Sequence, residues 1–557
     1  MLITRRRLLG AGAAAGVAAA LARGGGAAFA QLPAPRRLPL SEFAQNGELV
    51  DALRRGVQAM RDRKGSDPRS WFWQGAVHAY SDEIYDEAVR RDPAVAKIDA
   101  GRYWMQCPHF GQSSANFLIW HRAYLYHFER ILRAAAGEPE LAIPYWNYDE
   151  VGQRGFPEMF APQYLDQGRK VPNPLYHPNR EAAFVKGLFT LSEPVCAATR
   201  AHEAPQFFSA PGVTGFGGDV LEEGTRPGAV EQRPHNDLHV AVGGSIGSAS
   251  GAMADVPTAA FDPIFWVHHA NVDRLWRQWA STPGKSWGPL PPDSWFDEAP
   301  WTFIDADGSE QKKPRRFYLD PDNLAILYAD AGAQGDLALP LSVPGSAAAL
   351  ASAAPQRQNV TRALFRNNAT VVVPADRPAT SLAFASAPRA AAARVPAMRR
   401  ARTGNADAAG RGRAPAGGAS PPPPSVPPPP PPPPGAERTL TVRLSGIAWA
   451  RLPATGFAVY LAPRRAALDE GSPYFLGTLN LFGTGVGAGN ARNRAAMHQA
   501  AHMGYQDFDA TRLLGRLEQE SLEVQILPYA LLAPTGATAP PRADGVRIAE
   551  VSLLISE

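Results

Sequence analysis

Imidazole is the side chain that most often holds a transition metal, and this chain gathers its imidazoles in two blocks. The first reads Cys107-Pro108-His109, then Phe117-Leu118-Ile119-Trp120-His121-Arg122, with His78 upstream in Trp71-Phe72-Trp73-Gln74-Gly75-Ala76-Val77-His78. The second reads His235-Asn236-Asp237-Leu238-His239, then Phe265-Trp266-Val267-His268-His269-Ala270-Asn271-Val272-Asp273. His235 and His239, at i and i+4, share a helical face and form a two-ligand platform, to which His269 adds a third imidazole from the next helix. His78, His109 and His121 are assigned to the other metal. Two blocks with three imidazoles each predict two metals facing one another inside a helical core. Neighbours on a helix point about 100° apart, so His268 is expected beside the second metal rather than on it. Glu129 and Asp273 lie on the faces of His121 and His269, where a carboxylate either pairs with arginine or orients an imidazole. His127 faces away from His121 and reads as structural or surface. His498 and His502, also i and i+4, read as a solvated helix face.

The elements that must position these groups are legible from periodicity. Apolar residues recur at helical spacing over Leu40 to Arg61 and over Asn116 to Ala136, where Gly137 supplies a stop. A Trp-rich helix is predicted over Phe265 to Trp279, ended by the Pro283-Gly284 turn. From about 281 to 380 the pattern is less regular, with short strand-like runs such as Ala369 to Pro374. Residues 381–436 change composition to Ala, Arg, Gly and then nearly pure Pro, an exposed polyproline II spacer. Beyond it the period falls to two in Thr439 to Leu444, Phe457 to Leu461, Leu522 to Leu527 and Val546 to Ile555, which predicts an all-β sandwich over 437–557.

A net charge of only +4 over 557 residues, with no basic aromatic stripe, argues against a nucleic-acid partner. The apolar fraction of 45%, with 12 Trp, predicts a well-packed core. Residues 1–30 read as an export signal of twin-arginine type, with Thr4-Arg5-Arg6-Arg7-Leu8-Leu9, an Ala/Gly run, and Ala28-Phe29-Ala30 before Gln31; a general-secretion signal is the rival. A periplasmic or secreted location is expected, without a stable membrane anchor, because no stretch is apolar enough to span a bilayer. Two cysteines, Cys107 and Cys196, are too few for a disulfide scaffold; one disulfide between them and a free thiol at Cys107 are both open.

The pattern Asp262-Pro263-x-Phe265-Trp266-x-x-His269-x-x-x-Asp273 is similar at every position to the copper B signature of the tyrosinase, catechol oxidase and molluscan haemocyanin superfamily. Phe117 to Glu129 resembles its copper A signature. Glu231-x-x-Pro234-His235-Asn236-x-x-His239 is similar to the plant polyphenol oxidase form. The resemblance runs through Pro144-Tyr145-Trp146-Asn147. It continues in Phe475-x-Gly477-Thr478-x-x-x-Phe482-Gly483 and Asp507-Phe508-Asp509-x-Thr511, which look like the family's C-terminal shielding domain. It covers roughly residues 40 to 555 outside the linker. One departure stands out: seven residues, Phe110 to Asn116, separate His109 from Phe117, more than the family pattern has, so either the loop bulges or the first site is altered.

The resemblance implies a mainly α dicopper domain with a four-helix-bundle core over 31–380, followed by the β sandwich. It implies two copper ions, O2 and a small phenol as reactants, hydroxylation of monophenols, and oxidation of o-diphenols to o-quinones. Glu231 and Asn236 look like the pair that holds a basic water, and Val256 falls at the family's gating position. Cys107 resembles the cysteine that forms a thioether with a ligand histidine. The shielding domain implies latency, with a protease acting at Arg399-Arg400-x-Arg402 in the linker and a copper chaperone as candidate partners. A catechol oxidase or o-aminophenol oxidase lacking monophenolase activity, and a haemocyanin-like O2 carrier, are the alternatives.

Overall fold

The computed structural model describes residues 35–556 except 109–113, 221–225, 331–360, 368–369, 375–379, 383–437, 483–504, 537–544 and a few isolated positions. The export signal, most of the linker with its arginine cluster, His109, His498 and His502 therefore lie outside the described residues.

Five helices build the first domain: α1 (Gly47–Asp62), α2 (Trp71–His78), α3 (Asn116–Ala136), α4 (Asp237–Gly243) and α5 (Ile264–Ser281). The single helix expected over Leu40 to Arg61 is broken in two. A short turn, Leu40–Phe43, precedes α1, because the Asn46 side chain accepts a hydrogen bond from Leu49 N at 3.3 Å and starts a new helix there. Val50, Leu53, Val57 and Met60 form the buried stripe of α1. It packs closely on α3: a Cβ at Gly56 would lie 2.8 Å from Leu132 Cδ1. Gly137 ends α3 in the left-handed region at φ 63°, as the sequence predicts. The Trp-rich helix α5 runs two residues past Trp279.

A buried charge network ties α3 to α5. Arg37 Nε donates to Glu129 Oε1 at 3.1 Å, and Arg122 Nε donates to Asp273 Oδ1 at 2.6 Å. Arg37 Nη1 and the Tyr328 hydroxyl both donate to Asp273 Oδ2, at 3.3 and 2.7 Å. Both carboxylates thus pair with arginine rather than with an imidazole. The Arg122 and Arg37 guanidiniums hold the Asp273 carboxyl below the usual range although burial opposes this.

The β domain faces a short strand of the helical domain, β1 (Phe189–Leu191). Its own strands are β2 (Thr361–Asn367), β3 (Val371–Val373), β4 (Thr380–Leu382), β5 (Thr439–Ser445), β6 (Thr455–Ala462), β7 (Phe475–Thr478), β8 (Tyr505–Asp509), β9 (Glu523–Ala530), β10 (Leu532–Pro534), β11 (Val546–Ile548) and β12 (Glu550–Ser556). Two antiparallel four-stranded sheets, ordered β2-β12-β5-β8 and β4-β9-β6-β7, form the sandwich. On β5 the buried residues are Leu440, Val442 and Leu444, the alternation expected of a strand with one face in the core.

The boundary expected at 380 is wrong. Thr361 pairs with Ser556 and Thr380 with Ile526, so the chain before the linker completes both sheets of the sandwich. Short strands leave unpaired backbone groups at sheet edges, and these strands find partners across the linker that local periodicity does not announce.

The two domains share a sheet, because β10 pairs antiparallel with β1, Leu532 opposite Leu191. The Tyr529 hydroxyl donates to Asp237 Oδ2 at 2.6 Å, and Thr478 N donates to Gln232 Oε1 at 3.3 Å. Gly477 permits that approach, since a Cβ there would lie 2.6 Å from Gln232 Oε1.

Asp273→Ala strands the Arg122 guanidinium in the core. We expect it to destabilise the helical domain by about 3–5 kcal/mol, measured by denaturant unfolding of the metal-free protein.

Candidate metal centre

Four helical segments deliver the histidines. His78 is the last residue of α2, His121 lies in the second turn of α3, His235 and His239 lie at the start of and within α4, and His268 and His269 lie in α5. All six are buried. The ligating atoms of His235, His239, His268 and His269 lie within 4.8 Å of one another, as do those of His78, Cys107 and His121. The clusters face each other: the His121 and His269 rings stack at 4.1 Å with 6° between planes.

Fixed oxygens set the tautomers. His78 Nδ1 lies 3.1 Å from Val256 O, His121 Nδ1 2.8 Å from Phe117 O, and His239 Nδ1 2.7 Å from Met253 O. His235 Nδ1 lies 2.9 Å from Asn236 Oδ1. A carbonyl only accepts, so each Nδ1 carries the proton and each Nε2 presents a lone pair. His239 Nε2 and His269 Nε2 then meet at 3.4 Å. Two nitrogens about 2 Å from one ion would be spaced about that far apart. Burial lowers the His268 imidazole to about 3 and the His269 imidazole well below its ordinary range, so both are neutral. Buried, neutral, convergent imidazoles are the donor set a transition metal needs.

Residues 68–282 match the family described as the common central domain of tyrosinase. The helical domain belongs to the tyrosinase family. A tyrosinase of Hahella sp. (strain CCB-MM4) is 32% identical over 273 residues, covering 46% of this chain and 55% of the relative. The latent chloroplastic polyphenol oxidase of Prunus armeniaca is 30% identical over 325 residues, covering 53% and 50%. The chain thus spans about half the length of the curated relatives it matches. Among solved structures, latent apple tyrosinase is similar at TM-score 0.49 and 19% identity, covering 95% of this chain and 91% or more of its own, at 98%. The two histidine clusters correspond to the two copper sites of the tyrosinase family, and copper fits their donors.

Of the residues predicted for the first tyrosinase copper site, His78 and His121 come together, while His109 is not among the described residues. Cys107 joins them, its Sγ 3.8 Å from His121 Nε2. Both cysteines are free buried thiols, so the disulfide to Cys196 is not formed. Burial pushes the Cys196 thiol up to about 12, which leaves it unreactive.

At the second site His235, His239 and His269 converge as predicted, but His268 joins the cluster. Its Nδ1 shares a 3.2 Å hydrogen bond with the Tyr148 hydroxyl, and its ring stacks on His235 at 5.3 Å. Glu231 and Asn236 are both buried in the segment Glu231–Asn236 that enters α4. Val256 bears on the site through its backbone carbonyl, which accepts from His78. Its side chain, predicted as a gate, is buried.

Sequence reasoning assigned no role to Phe482. This residue of the β domain stacks on the His239 ring at 4.0 Å with 18° between planes, and lies 5.7 Å from His235. The quoted motif contains it, but nothing in local periodicity marks a loop aromatic for a partner in another domain.

His127 is structural, as expected. It shares a 3.0 Å hydrogen bond with the Tyr318 hydroxyl and stacks on Phe303 at 5.1 Å.

Replacing His239 by Ala is expected to lower tightly bound copper from two ions per chain towards one, read by metal analysis after dialysis. A second outcome concerns pH. Burial pushes the His127 imidazole down to about 3, whereas the unfolded chain gains this proton below its ordinary 6.5. Its contribution is complete above about 6.5 and is lost as pH falls towards 3, at up to about 1.4 kcal/mol per pH unit. His127→Gln should flatten the acid limb of metal-free stability by that share, measured by urea unfolding from pH 7 to 4.

Proposed function

We propose that this chain is an exported, latent dicopper phenol oxidase that hydroxylates monophenols and oxidises o-diphenols to o-quinones. The observation that carries the reading is the pair of facing clusters whose Nε2 lone pairs are aimed inward by fixed carbonyls. Bound there, two copper ions supply the activation of O2 and its delivery to the phenol ring. His78, His109 and His121 would hold one ion, and His235, His239 and His269 the other. His268, held by Tyr148, would position the His235 ring it stacks on. Cys107 would tie His109 through a thioether, with loss of two hydrogens detectable in the intact mass.

A phenol ionises near pH 10, so hydroxylation needs a base. Glu231, buried four residues before His235, is assigned to take the phenolic proton through a water. Phe482 sits where a flat aromatic ring could stack on His239, so the β domain acts as a plug in the substrate's place. Displacement of that domain, or cleavage of the linker at Arg399-Arg400-x-Arg402 by a protease, would open the site. Folding and copper loading by a chaperone before twin-arginine export fit the same reading. A catechol oxidase is favoured by one observation: Asn236 Oδ1 is engaged by His235 Nδ1, which leaves Asn236 less free to hold a water.

Oxygen uptake by the copper-loaded full chain, with 4-methylphenol and separately with catechol, tests the proposal. Both substrates should turn over slowly, and faster after linker cleavage; Phe482→Ala should bring the uncut chain towards the cleaved rate. Glu231→Gln should lower monophenol turnover by about 100-fold, with a smaller effect on catechol. Turnover of catechol alone would establish the second reading. Two bound coppers without turnover in either form would overturn both and leave an O2 carrier.

A further inference from the structure

The helical and β domains enclose a cleft of about 240 Å³, close to the lower end of ligand-pocket sizes. Its walls come from both sides. The helical domain supplies Arg200, Glu203 and Arg233, and the β domain supplies Phe475, Leu476 and Arg512. Among the described residues, no histidine lines it. We propose that this cleft binds a small organic carboxylate, and that the bound anion holds the two domains together.

Three guanidiniums line the cleft against one carboxylate, Glu203. The other nearby carboxylates are engaged elsewhere. Asp237 accepts from Arg233 Nε at 3.1 Å and from the Tyr529 hydroxyl. Asp509 accepts from Gly212 N at 2.6 Å and pairs with Arg226 at 3.5 Å. The hydrogen bonds of Arg512 go to the carbonyls of Pro473 and Phe475. Burial pushes its guanidinium below its ordinary value, with Asp509 the opposing influence. The wall is positive and retains bidentate donors suited to a carboxylate.

The remaining surface is apolar. The Arg200 guanidinium lies 3.9 Å over the Phe475 ring, and Leu476 lies beside it. An anion with a hydrocarbon body fits this wall better than a compact, strongly hydrated one. The domains are close here: a Cβ at Gly212, whose φ is +78°, would meet Arg512 N at 3.3 Å.

A ligand that needs both walls binds only the apposed state. At a hundred times its Kd it lowers the opened population about a hundredfold. This consequence rests on the latency proposed above; the binding itself does not.

Titration calorimetry of the full chain with hexanoate, and with hexanol as the uncharged control, tests the site. We expect saturable one-site binding of hexanoate, no comparable heat from hexanol, and about tenfold weaker binding in both R512Q and R200Q. V213F, which fills the cleft from the helical side, should also abolish it; normal unfolding midpoints of the variants would show that they fold. Equal binding of hexanol, no saturable binding, or undiminished binding in folded R512Q and V213F overturns the site. Hexanoate should also slow the rise in catechol oxidation during linker proteolysis. Saturable binding without such slowing overturns the coupling and leaves the site standing. A full chain already as active as the cleaved one overturns the latency reading without touching the calorimetry.

Discussion

The structure depends on keeping a crowd of buried imidazoles uncharged and aimed. A protonated imidazole in the interior would lack solvation and repel its neighbours, so burial drives off the proton. The one remaining ring proton must then be placed. Here it is placed by oxygens that cannot donate. Phe117 O comes from the turn of α3 below His121, while Met253 O and Val256 O come from the stretch between α4 and α5. That stretch serves both clusters, since Met253 holds His239 and Val256 holds His78. It must pack hard against α4 to do so. A Cβ at Gly243 would lie 2.2 Å from Ala254 N, so the end of that helix admits no side chain. The two sites are therefore coupled through a short backbone segment as well as through the His121–His269 stack.

The charged groups are segregated from these rings. Glu129 and Asp273 are on the helices that carry His121 and His269, yet their oxygens go to Arg37, Arg122, Arg133, Tyr328 and the backbone of Ile143. A buried carboxylate on a ligand imidazole would raise its proton affinity and compete with a metal. Pairing with arginine removes that competition and cross-links α3 to α5. Arg180 and Asp262 repeat the device before α5, at 2.7 Å with both side chains fully buried. Asp262 Oδ1 also accepts from Ile264 N, which fixes the start of the helix that carries His269.

Much of this was legible in the sequence, because histidine spacing and helical periodicity are local. Helices α3 and α5, the Gly137 stop, the i, i+4 platform of His235 and His239, and the alternation of β5 all follow from short-range rules. The failures are non-local. The strands Thr361–Asn367 and Thr380–Leu382 read as trailing pieces of the first domain, because their partners lie on the far side of a proline tract. His268 was set aside by the angle between helical neighbours. That angle separates two side chains at their Cβ atoms, yet ring nitrogens several bonds further out reconverge when α4 faces both of them. Val256 was chosen for its side chain, whereas its carbonyl meets His78; backbone roles carry no residue signature. Phe482 illustrates the same limit, since a loop aromatic gains meaning only from the ring it meets.

The interface that brings Phe482 to His239 is built largely from polar links. Tyr529 to Asp237, Gly212 N to Asp509, Ser192 Oγ to Ala530 O and the β1–β10 ladder are all groups that water can satisfy when the domains part. Exchanging such bonds for water costs about 0.5–1.5 kcal/mol each, whereas opening an apolar core of similar extent would cost more and expose an adhesive face. Phe482 is the exception, an aromatic ring that loses its stack on His239 when the domains separate. A flat ring entering from solution could regain that contact. The domain contact therefore combines separable polar links with one apolar insertion, placed where a competing aromatic ring has most to gain.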